Sequence, residues 1–151
     1  MNEVVAKLIE RFDLRPHLEG GWFRETWRAA SREGSRGAGT AILYLIQPGQ
    51  EPRWNRGDAT EVWLWHAGDC LVLTTSVSAT GVVERTRLGM NVEAGEIPQA
   101  IVPAGSWQAA ELSADATHGY CLLSCVAAPA FDFATYEIAP AGWSPPGGSA
   151  A

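Results

Sequence analysis

Lysine is almost missing from this chain of 151 residues: Lys7 stands alone, and the other ten cationic side chains are arginines. The cations form no run, and the net charge is −6. A nucleic-acid partner requires a basic surface that neutralises phosphates, so none is expected. Cysteine is scarce too. Cys70, Cys121 and Cys125 are an odd set without zinc-ligand spacing, which points to buried thiols in a reducing cytosol. No apolar stretch approaches ~18 residues, so no membrane span is expected. The opening MNEVVAKLIERFDL has early acidic residues and no unbroken apolar segment. No secretory leader is therefore expected, and the location read from the sequence is cytoplasmic. Phosphate-cradling glycine loops, a nucleophile elbow and a Cys–His pairing signature are also missing.

What is present is a globular composition, 46% hydrophobic and 19% charged, long enough for one domain with its own core. Val5, Leu8, Ile9 and Phe12 recur at helical spacing and predict a helix over 3–13, ended by Pro16 and Gly20-Gly21. Everything after Gly21 reads as strand and turn. The expected strands are 22–29, 40–47, 61–66, 70–77, 82–88, 98–102, 106–112, 119–127 and 131–138, with a tight turn at Ala67-Gly68-Asp69. Short strands at this density predict an all-β sandwich or barrel with one short N-terminal helix. The domain is expected over 1–139. The stretch 140–151, PAGWSPPGGSAA, reads as a flexible tail from which Trp143 is able to dock.

Two stretches carry a recognisable skeleton. Gly49 to Gly68 reads G-Q-E-P-R-W-N-R-G-D-A-T-E-V-W-L-W-H-A-G, and Pro103 to Gln108 reads P-A-G-S-W-Q. The pair resembles the two motifs of the cupin superfamily, G-x5-H-x-H-x3-E-x6-G and P-x-G-x2-H. On that template the histidine positions hold Asn55, Gly57 and Gln108, while the glutamate survives as Glu61. Transition metals favour imidazole, thiolate and carboxylate, and neutral amides are weak donors. His17, His66 and His118 do not complete a site by spacing, so no metal ligands and no cofactor are expected.

Period-two alternation turns the motif into geometry. If Glu61 points into a barrel, Trp63 and Trp65 point the same way, with Val62, Leu64 and His66 on the other face. Gln108 then shares a face with Ser106 and Ala110, opposite Trp107. The resulting pocket places Glu61 as the catalytic candidate. Asn55, Gln108, Trp63, Trp65, Arg53 and Glu25 are the ligand-binding candidates. Indoles suit a planar or sugar-like ligand, and the amides supply directional hydrogen bonds. Two readings of Glu61 stay open: an acid–base group with a raised pKa, or a structural ion pair with Arg53, Arg56 or Arg24. Trp63 is equally open between pocket and core, and for the indoles as a set the core reading also stands.

The likeness extends beyond the motifs. PHLEGGWFRETWR (16–28), EVWLWHAGD (61–69), LG (88–89), PQAIVPAGSWQAA (98–110) and APAFDFATYEIA (128–139) together resemble the small single-domain cupin family long described as a domain of unknown function. That resemblance implies a double-stranded β-helix, or jelly roll, usually a homodimer, with a small-molecule pocket in each barrel. It also implies structural similarity to sugar epimerases. The family commonly has a His where this chain has Asn55 and an acidic residue where it has Thr60. Three functions are carried forward. The first is a metal-independent enzyme of isomerase/epimerase, dehydratase or cyclase type, the second a non-catalytic binding module, and the third a metal-dependent cupin with atypical ligands.

Overall fold

The computed structural model describes residues 2–148. Its one α-helix is α1, Glu3–Phe12, capped by Asn2, whose side chain accepts a hydrogen bond from the Val4 N–H at 2.9 Å. Asp13, left-handed at φ 50°, closes the helix. The apolar stripe expected from the periodicity lies on the outer face of a sheet, where Val5, Leu14, Leu45 and Leu122 form a buried cluster. Full burial of a residue such as Val5 or Leu45 contributes about 1.5–3 kcal/mol before entropy is charged. No helix among the described residues is long and apolar enough to cross a membrane.

The strands are β1 (Arg15–Pro16), β2 (Trp22–Arg28), β3 (Thr40–Ile46), β4 (Asn55–Arg56), β5 (Thr60–Gly68) and β6 (Leu71–Ser76). They continue with β7 (Val83–Leu88), β8 (Gln99–Val102), β9 (Trp107–Leu112), β10 (Cys121–Ala128) and β11 (Glu137–Ile138). Two antiparallel sheets result, with orders β1-β2-β3-β10-β5-β8 and β11-β4-β9-β6-β7. They face each other as a jelly roll. Tyr44, Trp63, Leu71, Leu73, Leu123 and Cys125 are among the residues filling the space between them. The unbroken apolar run of β3 follows from its position: Tyr44 and Ile46 face this interior, while Leu45 lies under α1.

Ala67-Gly68-Asp69 does not close a hairpin. β5 pairs with β10 and β8, whereas β6 pairs with β7 and β9, so the turn carries the chain from one sheet to the other. Gly68 is required there, because it sits at φ 93° and a Cβ would collide with the Tyr120 carbonyl.

One expectation is corrected. The stretch 131–138 is mostly not strand: a 3-10 turn occupies Phe133–Thr135, and only Glu137 and Ile138 pair, with Arg56 and Asn55. The Asp132 side chain accepts from the Ala134 N–H at 2.9 Å, a local bond that competes with a sheet ladder. After Ala139 the chain returns to the second sheet. Trp143 packs edge-on to Trp54 and against Trp107 (centroids 6.4 and 4.7 Å), covering the outer face of the second sheet. Residues 149–151 lie outside the described residues.

Candidate functional site

The chamber between the sheets begins with a turn. Gly21, at φ 77°, passes so close to β3 that a Cβ would lie 2.5 Å from the Leu45 carbonyl oxygen and 2.7 Å from the Tyr44 ring. His17 N–H donates to the Gly21 carbonyl (2.9 Å), and the Tyr44 hydroxyl donates to the Gly20 carbonyl (2.6 Å). This turn places His17 and Glu19 among the lining residues of a cavity of about 620 Å3, counting its open mouth. Glu61, Trp63 and Gln108 line it from β5 and β9, and Cys125 from β10.

One hydrogen-bonded chain ties the motif residues together. The Trp63 indole N–H donates to Gln108 Oε1 (3.2 Å), and Gln108 Nε2 donates to Asn55 Oδ1 (3.0 Å) and Glu61 Oε2 (2.8 Å). Asn55 Nδ2 donates to the carbonyls of Arg53 (3.0 Å) and Gln108 (3.3 Å). Both protons of each amide are therefore consumed within the protein. Asn55 and Gln108 thus hold each other and orient Glu61, and Gln108 also lines the cavity.

Burial pushes the Glu61 carboxyl above its ordinary range, and the Gln108 and Trp63 donors offset this only in part. Glu19 is pushed well above its ordinary range by burial first and by the nearby Glu61 charge second, against a weaker pull from Arg53. Burial also lowers His17 to about 4. Its Nδ1 accepts the Glu19 backbone N–H at 3.0 Å, so the neutral ring carries its proton on Nε2. Because the imidazole is neutral, its 3.9 Å approach to the Glu19 carboxyl is not an ion pair. Burial raises the Cys125 thiol far above its usual range, which disfavours the thiolate.

Aromatic rings complete the walls. His17 stacks on Tyr44 (5.1 Å) and meets Phe23 edge-on (4.6 Å). At the mouth, Phe131 packs edge-on against Phe133 and Tyr136 at 4.7 and 5.1 Å. The Tyr136 hydroxyl is buried and lacks a hydrogen-bond partner among the described residues.

The other candidates disperse. Trp65 shares the inward face but lies away from the cavity, packing on the main core and donating to the Asp69 carbonyl at 3.0 Å. A bulge between Leu122 and Leu123 interrupts its register with β10. Arg53 borders a smaller adjoining cavity beyond Glu19 and donates to the Ala139 carbonyl (3.1 Å). Glu25 lines the chamber while holding Arg28 through two bonds of 2.7 and 2.9 Å. No salt bridge engages Glu61 among the described residues. Arg56 pairs with Glu137, and Arg24 donates to the Phe12 carbonyl.

The metal associated with cupin motifs has no matching donor set. Asn55, Gly57 and Gln108 supply no imidazole, the amides are saturated, and Glu61 is a single carboxyl already hydrogen-bonded. Among the described residues, no group of three or more His, Cys, Asp and Glu is arranged to hold a metal ion.

Sequence reasoning missed Glu19, Tyr44, His17 and the Phe131–Tyr136 rim. One signal was available: in PHLEGGW, two polar residues sit directly before a Gly-Gly turn and an aromatic strand. Spacing alone could not bring them to Glu61, because β3 and β5 become near neighbours only through β10, which lies between them in the sheet.

Among curated proteins, none matches the chain. A hypothetical protein from Leishmania major is 34% identical, with 87% of this chain and 85% of that one covered and a TM-score of 0.77. A Shewanella oneidensis protein is 29% identical over 92% and 85% of the two chains, with a TM-score of 0.81. Streptomyces Pac13, described as a nucleoside dehydratase, shares the fold at 11% identity, with 92% and 94% covered and a TM-score of 0.58. The family model described as Cupin superfamily (DUF985) matches residues 6–139. The chain belongs to that family.

Proposed function

We propose that this protein is an enzyme that moves a proton on a small planar metabolite without a metal ion, in an isomerase/epimerase, dehydratase or cyclase type of reaction. One observation carries the reading: two carboxyls, Glu19 and Glu61, are buried in one aromatic-walled chamber and both are biased toward the protonated form. Paired carboxyls with shifted pKa values divide acid and base roles between them. Gln108 fixes Glu61 Oε2 and leaves Oε1 to exchange a proton. Asn55 acts through Gln108 as a positioning residue. The metal-independent form of the reading rests on the saturated amide donors.

A thermal-shift screen of sugars, nucleosides, keto acids and aromatic metabolites, followed by turnover assays on each hit, tests this proposal. Uridine belongs in the set because Pac13, which shares the fold, has been crystallised with it. A ligand that binds only the native state raises the melting temperature. The expected result is a stabilising ligand whose conversion survives chelator treatment. Stabilisation without conversion makes the protein a binding module, and loss of conversion on chelation restores the metal-dependent alternative.

The same proposal includes a homodimer. β1 pairs with β2 only at Trp22 and Phe23, and no other described strand covers the outer edge of Arg24–Arg28. Unpaired edge groups of this kind favour pairing with a second chain. Light scattering is expected to give twice the chain mass, and a monomeric mass would overturn the dimer.

A further inference from the structure

The charge of the chamber is one-sided. Glu19, Glu25 and Glu61 line it, and no lysine or arginine does, although the chain has ten arginines. Two cations lie nearby without lining it, and Arg53 is close enough to act on Glu19. Arg28 binds Glu25 and the Phe131 carbonyl. Arg53 borders the adjoining cavity and is tied to the Ala139 carbonyl. A phosphate or carboxylate entering here would meet carboxyls and rings, with no lining cation to offset its lost hydration.

A cation meets the opposite environment. The Glu19 carboxyl accepts no hydrogen bond from any described residue, although its side chain is only 14% exposed. The Tyr136 hydroxyl beside the rim is buried and has no hydrogen-bond partner among the described residues. Phe23, Trp63, Phe131 and Phe133 surround the same space, and ring faces attract ammonium groups through their quadrupoles. A carboxyl with no partner among the described residues, negative ring faces and the lack of a lining lysine or arginine together suit a positively charged nitrogen.

We propose that the chamber selects an aromatic or other planar amine in its cationic form, with the ammonium between Glu19 and Glu61 and the apolar part against the Phe131–Phe133–Tyr136 rim. The inference rests on the reading of this chamber as the substrate site, and it names the substrate class that the site takes.

Benzylamine, benzyl alcohol and sodium benzoate differ in charge at nearly constant shape. Titration calorimetry of the purified protein at neutral pH is expected to show benzylamine binding at least about tenfold tighter than benzyl alcohol, with no binding of benzoate. Glu19→Gln is expected to weaken benzylamine by roughly tenfold while benzyl alcohol stays within about twofold. Glu61→Gln serves as the second variant if Glu19→Gln does not fold. Equal or tighter binding of benzoate, equal binding of the alcohol, or no binding of benzylamine up to its solubility limit overturns the inference. Because binding requires no turnover, a cation preference in a protein that converts nothing would leave this inference standing and sink the enzymatic reading. Tight benzoate binding in an enzyme that depends on Glu61 would do the reverse.

Discussion

Glu61→Gln is expected to lower turnover of the protein's substrate by roughly 10²–10⁴-fold, the usual contribution of a positioned acid–base group. The substitution keeps the shape and an oxygen that accepts the Gln108 amide proton, so the Trp63–Gln108–Asn55 chain survives. What disappears is the exchangeable proton. Stability should move the other way at neutral pH. The folded-state pKa of Glu61 lies above its unfolded value, so its favourable contribution is present in acid and is lost as pH rises through the folded pKa. At neutral pH the native protein carries the cost of an ionising buried carboxyl, which glutamine removes. The variant should therefore melt higher than the natural protein at neutral pH, with the difference shrinking in acid. Turnover within about threefold of the unaltered protein would remove Glu61 from the chemistry. Collapse of turnover together with a lower melting temperature would instead indicate a broken scaffold.

Asp69→Ala is expected to destabilise the fold by about 3–4 kcal/mol, because it strands several donors at once. Asp69 Oδ1 accepts the N–H groups of Thr117 and His118 (2.7 and 2.9 Å), and Oδ2 accepts that of Gly119 (2.7 Å). Its own N–H donates to the Tyr120 carbonyl at 2.7 Å. The residue thereby pins the 117–119 loop to the turn between the sheets. Asn2, the cap of α1, donates to the His118 carbonyl (2.7 Å), so the helix leans on the same loop. Burial opposes ionisation of Asp69, but these donors outweigh it and bring the carboxyl down to about 2. The folded pKa is depressed, so its contribution of about 2 kcal/mol is present above the ordinary carboxyl range and lost as pH falls toward 2. Urea denaturation should show a lower midpoint with an unchanged slope, and the variant should lose this acid-dependent component. A shift under about 1 kcal/mol would mean that the loop is held by other contacts. Asp69→Asn should fall between the two, since its amide nitrogen has to face the Gly119 donor.

Part of this molecule was legible from residue order. The helix was readable because a 3.6-residue period is a local property, and its stripe lies where the period puts it, on Leu45 and Leu122. Most strands were readable from alternation and from Gly and Pro punctuation. Strand 131–138 was not, because the Asp132 side chain diverts its own backbone into a turn. Irregular chain marked by Pro and Gly can still pack, as where Trp143 meets Trp54 and Trp107.

The site divides in the same way. Residue identity alone determined that Asn55, Gly57 and Gln108 replace the cupin histidines, since donor chemistry belongs to the side chain. Alternation determined that Trp63 and Glu61 share a face. Only the tertiary structure decided what those residues do. It saturated the two amides against each other and against Glu61, took Trp65 out of the chamber, and brought Glu19 over from a turn more than forty residues earlier. It also decided the charge of the chamber, because low solvation and proximity, which shift a carboxyl's pKa, are properties of neighbours in space.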